Sequence, residues 1–249
     1  MEEGLSITLA PFRLGELWGL PITSTLLTSW VVVVILLAGA FFLGRNLKMV
    51  PAKGQIAVEG ILGGALSYME GVLEDKTLAR RYFPLIITIF LYIAVANLIG
   101  LFPFIGAVGI HGEGGHNGLI PLFYPVNTDL NVPIALAVIS FITIEFAGIT
   151  AMGFLKYAGK FVNFRSVIGF IVGIIELISE IARLLTFSFR LFGNIFAGKV
   201  LILLALAFLP YLLPVPLLFY EVFVGVIQAI IFALLTLFFI KIAVTPMEH

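Results

Sequence analysis

GIIELISEIARLLTFSFRLFGNIFAGKVLIL, residues 173 to 203, sets five ionisable side chains, Glu176, Glu180, Arg183, Arg190 and Lys199, into an otherwise apolar helical run. No proline interrupts residues 166 to 209, so about 44 residues can form one helix roughly 66 Å long, about twice the hydrocarbon thickness of a bilayer. A charge inside such a run costs a few kcal/mol and therefore marks an ion path or an internal pair. At about 100° per residue, Glu176, Glu180, Arg183, Phe187, Arg190, Asn194 and Ala197 share one face, while Lys199 points away from Arg190. Gly193 and Gly198 reduce the bulk of this helix and admit a neighbouring helix closely.

The rest of the chain fixes the class. With 61% hydrophobic and 11% charged residues and a mean hydropathy of +1.17, it is too apolar for a soluble domain and reads as an all-α polytopic membrane protein. Zero net charge argues against a nucleic-acid partner, and the charges are too dispersed for a polybasic lipid-binding cluster. Absence of cysteine excludes disulfides, thiolate metal sites and a cysteine nucleophile. The phosphate loop GxxxxGK[ST] and the protease motifs HExxH and GxSxG do not occur, so neither nucleotide binding nor intramembrane proteolysis is expected, and no cofactor is implied. A secondary transporter would show inverted repeats, and none is evident. No basic segment precedes the first apolar run, which is too long for a leader, so no signal peptide is expected.

In order, residues 1 to 22 read as a surface arm, 24 to 43 as a first span and 51 to 77 as an amphipathic surface helix, because Lys53, Gln55, Glu59, Glu70, Glu74 and Asp75 interrupt it. A second span covers 82 to 102. Residues 104 to 130 form a Gly- and Pro-rich loop in which His111, Glu113 and His116 have the chemistry but not the spacing of a metal site. A third span, 132 to 154, contains Glu145; the long helix follows at 166 to 209, then the turn PYLLPVP, then a last helix, 215 to 244, with Glu221 and Gln228. The expectation is one membrane domain of about five spans plus the surface helix. The long run either breaks near Arg183 or crosses once at a steep tilt. Lys and Arg fall in the segments after the first span (Arg45, Lys48, Lys53, Lys76, Arg80, Arg81), after the third (Lys156, Lys160, Arg165) and at Lys241, and are absent from 104 to 130 and 210 to 216. The positive-inside rule then favours a single tilted crossing, with the N-terminus outside and the C-terminus cytoplasmic.

RLFGNIFAGKVL, with Arg190, Asn194, Ala197 and Gly198, resembles the signature of subunit a of the F-type ATP synthases, the membrane stator facing the rotating c-ring. Gln228 in GVIQAIIFALLTLFF, Asn97 in ANLIGLFP and Asp129 with Asn131 in NTDLNV extend the resemblance over roughly residues 80 to 243. It implies a proton-translocating stator in an energy-coupling membrane such as the bacterial plasma membrane, with c-ring rotor subunits, peripheral-stalk b subunits and lipid as partners and no directly bound nucleotide. It implies two offset half-channels separated by Arg190, with Gln228 and Asn194 beside it, Glu176 on the cytoplasmic path, and Asn97, Asp129, Asn131, Lys199 and Glu221 on the outer side. The chain departs from the better-known pattern at Gly100, where an acid is frequent, and at Lys199 and Glu221, where an acid and a histidine are usual; Glu145 matches no family site.

Each residue also has a plainer reading. Arg190 lies about 25 residues from the basic loop and about 20 from the turn, too central to snorkel to a headgroup. Glu180 and Arg183 have the i, i+3 spacing of a structural pair, Asn194 could be a packing amide, and Asn97, Asp129 and Asn131 suit loops and helix caps. Lys199 lies about 13.5 Å beyond Arg190 and Glu221 about 10.5 Å before Gln228 along their helices, so an antiparallel hairpin brings them to similar depth as a pair that either locks the hairpin or lines the outer path.

Overall fold

The proline-free run folds as a single helix, Val167–Phe208, 42 residues without interruption, so a break near Arg183 is not adopted in the computed structural model. The structure describes residues 12–45, 47–48, 51, 53–102, 105–116, 119–161, 167–210 and 212–245. Within them the chain passes through a hairpin of β1 (Arg13–Leu17) and β2 (Leu20–Thr23), then helices α1 (Ser24–Arg45), α2 (Lys53–Leu73) and α3 (Lys76–Gly100). A second hairpin, β3 (Gly109–His116) and β4 (Leu119–Pro121), and a 3-10 turn (Val126–Thr128) lead to α4 (Asn131–Met152), the short α5 (Phe154–Ala158), the long helix α6 and α7 (Pro214–Val244). Six of these helices are long and apolar enough to cross a membrane.

Local chemistry sets the boundaries. Asp75 caps α3, accepting from the backbone N–H of Thr77 and Leu78 at 2.7 and 3.1 Å. The helix α4 ends at Gly153, whose φ of 82° only glycine adopts readily, and Pro214 opens α7 where its missing N–H costs nothing.

Two expectations need correction and one gains detail. Within the stretch read as a surface arm, residues 13 to 23 pair as a hairpin whose turn, Trp18-Gly19, has positive φ at both positions, the turn that matches strand twist. Residues 1 to 11 lie outside the described set. The loop of 104 to 130 likewise contains the β3–β4 hairpin. Lys76, Arg80 and Arg81 sit on the first turns of α3 rather than in a connection, because Asp75 starts that helix early. The helix α2, read as a surface helix, is also long and apolar enough to span, and buries only Met69 and Leu73, against α3 and α7.

Three apolar clusters hold the bundle, the smallest being Val32, Ala96 and Val126, which ties α1 to α3 and the 3-10 turn. Ile89, Ile93, Ala137, Phe187, Leu191, Ala229 and Phe232 join α3, α4, α6 and α7 at mid-height; Met69, Tyr82, Ile86, Ile144, Leu237 and Ile240 join α2, α3, α4 and α7 nearer one end. Outward faces of α1 and α6 remain apolar and exposed, Leu37, Phe42, Ile171 and Ile178 among them, as a lipid-facing surface requires. The bundle thus has a turn end, carrying residues 119–130 and the α6–α7 turn, and a basic end, carrying the α2–α3 turn, residues 153–161 and the end of α7.

Candidate functional site

Around α6 the charged stripe follows the edge of the buried face. Glu180, Phe187, Leu191, Ile195 and Gly198 are buried, whereas Arg190, Asn194 and Ala197 are exposed. The two sets centre roughly 80° apart on the helix. The stripe therefore starts against the bundle and ends facing outward. Arg190 makes no hydrogen bond or ion pair among the described residues. One turn on, Asn194 donates through Nδ2 to Gln228 Oε1 at 2.6 Å. Gln228 is buried on α7, and its Nε2 has no partner among the described residues. Gln228 is thus joined to the Arg190 region through Asn194.

At the turn end the polar residues form one connected group. Asp129, buried, accepts from Thr25 Oγ1 at 2.8 Å and from the Asn131 backbone N–H and Nδ2 at 3.0 and 2.8 Å, so it tethers α1 to the start of α4. Asn97 lies in the last turn of α3: it donates to the Gly225 carbonyl at 2.9 Å and accepts from Asn127 Nδ2 at 2.6 Å. That contact needs Gly225, since a Cβ there would meet Asn97 Cβ at 3.0 Å. Ser24 donates to the Pro121 carbonyl, and the Tyr124 N–H donates to Thr28 Oγ1 at 3.0 Å, fixing the loop over the bundle.

Lys199 and Glu221 are not paired. Lys199 Nζ sits 3.2 Å from the ring centroid of Tyr124, whose hydroxyl burial pushes up, so the contact is with a neutral aromatic face. The Glu221 carboxylate, 4% exposed, packs against Gly198 in the space a side chain there would fill. The depths match as expected, but adjacent residues on a helix point about 100° apart, so Glu221 lies level with Gly198 while Lys199 turns toward the loop. Gly198→Ala is expected to displace Glu221 and to reduce proton flux in assembled vesicles at least as severely as Glu221→Ala; wild-type flux in the Gly198 variant would show that the close approach is dispensable.

At the basic end, Lys160 Nζ bridges Glu176 at 2.5 Å and Glu180 at 3.2 Å, and Arg183 Nη1 lies 2.6 Å from Glu180 Oε2. The Arg183 guanidinium also covers the Phe239 ring at 3.9 Å. Glu145 Oε1 and the Tyr157 hydroxyl are buried without hydrogen-bond partners among the described residues. Lys160, Tyr157, Tyr124, Asn127 and Thr25 belong to these polar groups and were not singled out as candidates from the sequence. The polar opening STLLTS of α1 was a usable signal for Thr25; Tyr124 and Lys160 come from connections, Asn127 from the 3-10 turn and Tyr157 from the five-residue α5, all too short to show periodicity. Side chains of His111, Glu113 and His116 lie outside the described residues, and among those described no group of three His, Cys, Asp or Glu could hold a metal.

A bundle of six membrane-length helices, with polar groups gathered at its two ends and between them the Arg190 guanidinium, unpartnered among the described residues, defines an integral membrane protein with a charged interior seam. Residues 26–241 match the model of the family described as ATP synthase A chain. The chain is 30% identical over 230 residues to an ATP synthase subunit a of Moorella thermoacetica, covering 92% of this chain and 94% of the relative. It is 32% identical to subunits of the same description from Campylobacter concisus, over 88% of each chain, and Geobacter sulfurreducens, over 86% of this chain and 84% of the relative. The chain belongs to the ATP synthase A chain family, with that family's broad role in membrane proton transport for ATP synthesis.

Proposed function

We propose that this chain is the stator that couples proton flow to rotation of a ring of rotor subunits, using two half-channels that do not meet within it. The observation that carries this reading is Arg190: exposed, unpartnered among the described residues, and set between two polar groups at opposite ends of the bundle. Along α6 it is about 21 Å from Glu176 and about 13.5 Å from Lys199, with the cluster of Phe187, Leu191 and Phe232 packed behind it. An intramembrane guanidinium facing outward needs an anion, and a carboxylate on a passing rotor helix supplies one.

In this reading a proton enters at the turn end through Asp129, Asn131, Asn97, Glu221 and Lys199 and neutralises a rotor carboxylate. That carboxylate then turns with the ring through lipid and loses its proton at the basic end near Glu176. Arg190 cannot deprotonate in a protein, so it cannot relay a proton between the two sides and holds the rotor carboxylate ionised as it passes. Asn194 and Gln228 would fix the polar surface one turn beyond the guanidinium. Each proton moved is worth about 2.3 kcal/mol per 100 mV. The ring would lie along the exposed edge of α6, with peripheral-stalk b subunits and lipid against the other outward faces, the turn end outside and the basic end cytoplasmic, in a membrane such as the bacterial plasma membrane.

Cysteines at Asn194 and Leu201, both on the exposed edge of α6, should crosslink to a rotor helix in the assembled complex, whereas a cysteine at buried Leu191 should not. Crosslinking from Leu191 alone would place the ring on the wrong side of the helix.

A further inference from the structure

Among the described residues at the basic end, three acids, Glu145, Glu176 and Glu180, stand with two cations, Lys160 and Arg183; Arg165 lies outside the described set. Both cations are already committed: Lys160 to Glu176 and Glu180, and Arg183 to Glu180. Glu145 on α4 takes part in none of these pairs, although Glu180, Lys160 and Arg183 all act on it electrostatically. Its Oε1 is buried and without a partner among the described residues. A second orphan faces it. Tyr157 on α5 is 3% exposed, its hydroxyl is buried without a partner among the described residues, and the charge acting most strongly on that hydroxyl is that of Glu145. The tyrosine is held there by Gly148, one turn after Glu145, because any Cβ at that position would overlap the Tyr157 ring. Burial pushes the Tyr157 hydroxyl above the usual tyrosine range, so it remains a donor.

Among the described residues, the other cations on the elements around it are engaged or turned away, and one more tyrosine is unpartnered. Lys241 on α7 donates to the Leu73 carbonyl and pairs with Glu74, at 3.3 Å in each case; Lys156 on α5 is exposed; Tyr82 on α3 supplies a further buried hydroxyl without a partner among the described residues. Glu145 is half-buried with Oε1 inside, and a third carboxylate ionised there beside Glu180, with both described cations taken, would be an uncompensated charge, whereas a carboxylic acid needs only hydrogen bonds.

We infer that Glu145 and Tyr157 form a proton-holding site at the basic end, in which Glu145 carries the proton that the two described cations leave uncompensated and Lys160 is a positioning residue committed to Glu176 and Glu180. Only an O–H bond forms and breaks: Glu145 takes a proton from water or a neighbouring acid and returns it the same way. The placement of this site on a proton exit path rests on the stator reading; its occupancy does not.

Infrared difference spectra of the whole synthase in lipid vesicles, taken without turnover between neutral and alkaline pH, read that occupancy directly. One protonated-carboxyl carbonyl band should be lost in E145Q, move to higher frequency in Y157F as its donor disappears, and be joined by a second band in K160M that K160R removes again. Where E145Q fails to assemble, E145D should assemble with the band displaced. A spectrum unchanged by E145Q, or by E145D in its place, would overturn the site, and a band indifferent to Y157F would remove Tyr157 from it. Normal ATP synthesis in an Arg190→Ala complex that retains the Glu145 band would instead defeat the stator reading and leave the proton site standing.

Discussion

Arg190→Ala in the assembled synthase is expected to abolish ATP synthesis and ATP-driven proton pumping while leaving the complex intact. The guanidinium makes no hydrogen bond or ion pair among the described residues, so removing it strands no buried partner within the chain and spares the roughly 2.5–3.5 kcal/mol that a central arginine costs on insertion. On the proposed stator reading, what is lost is the charge that holds a rotor carboxylate ionised and blocks direct transfer between the two sides. Passive proton leak should therefore rise as coupled flux falls. Arg190→Lys should also fail largely, because an ammonium lacks the planar fork and can itself deprotonate when buried. Acid-pulse ATP synthesis and passive proton uptake, measured in the same vesicles, give both quantities. Near-normal synthesis from assembled Arg190→Ala would contradict the assignment.

Glu180→Ala should have the largest effect on stability. Glu180 is 2% exposed and receives both Lys160 and Arg183, which are themselves largely buried, at 11% and 15% side-chain exposure. Removing it leaves Lys160 with Glu176 alone and leaves Arg183 with the Phe239 ring alone, an uncompensated buried cation. Breaking such a pair costs about 3–5 kcal/mol, whereas replacing both partners is often far milder. Heat inactivation of detergent-solubilised complex should therefore show a large loss for Glu180→Ala and partial recovery in Glu180→Leu combined with Arg183→Met. An unaltered stability profile for the single variant would mean that the network is hydrated and carries little.

What the sequence disclosed follows from what hydropathy and helical spacing encode. Apolar runs located the helices, the absence of proline over 167–208 gave the unbroken α6, and i, i+3 spacing gave the Glu180–Arg183 pair that the structure contains. Depth was legible as well, since counting residues along two antiparallel helices placed Glu221 near the level of Lys199. Azimuth was not. A one-residue offset on α6 separates Gly198, against which Glu221 packs, from Lys199, which meets Tyr124. Periodicity also cannot see a side chain returning from a loop. Lys160 reaches Glu180, twenty positions later, and Asn127 reaches Asn97 across the 3-10 turn, because tertiary closure brings them there. The two hairpins escaped for the same reason: Gly-rich segments carry turn signals but little alternation to mark strands.

The central claim is that no continuous proton path exists within this chain and that protons cross only by riding the ring. Passive proton flux through vesicles containing the assembled synthase, with the ring locked to the stator by a reversible disulfide, tests it most directly. Flux should fall to the lipid background when the ring is locked and return on reduction; flux that persists at its unlocked rate with the ring immobilised would contradict the claim.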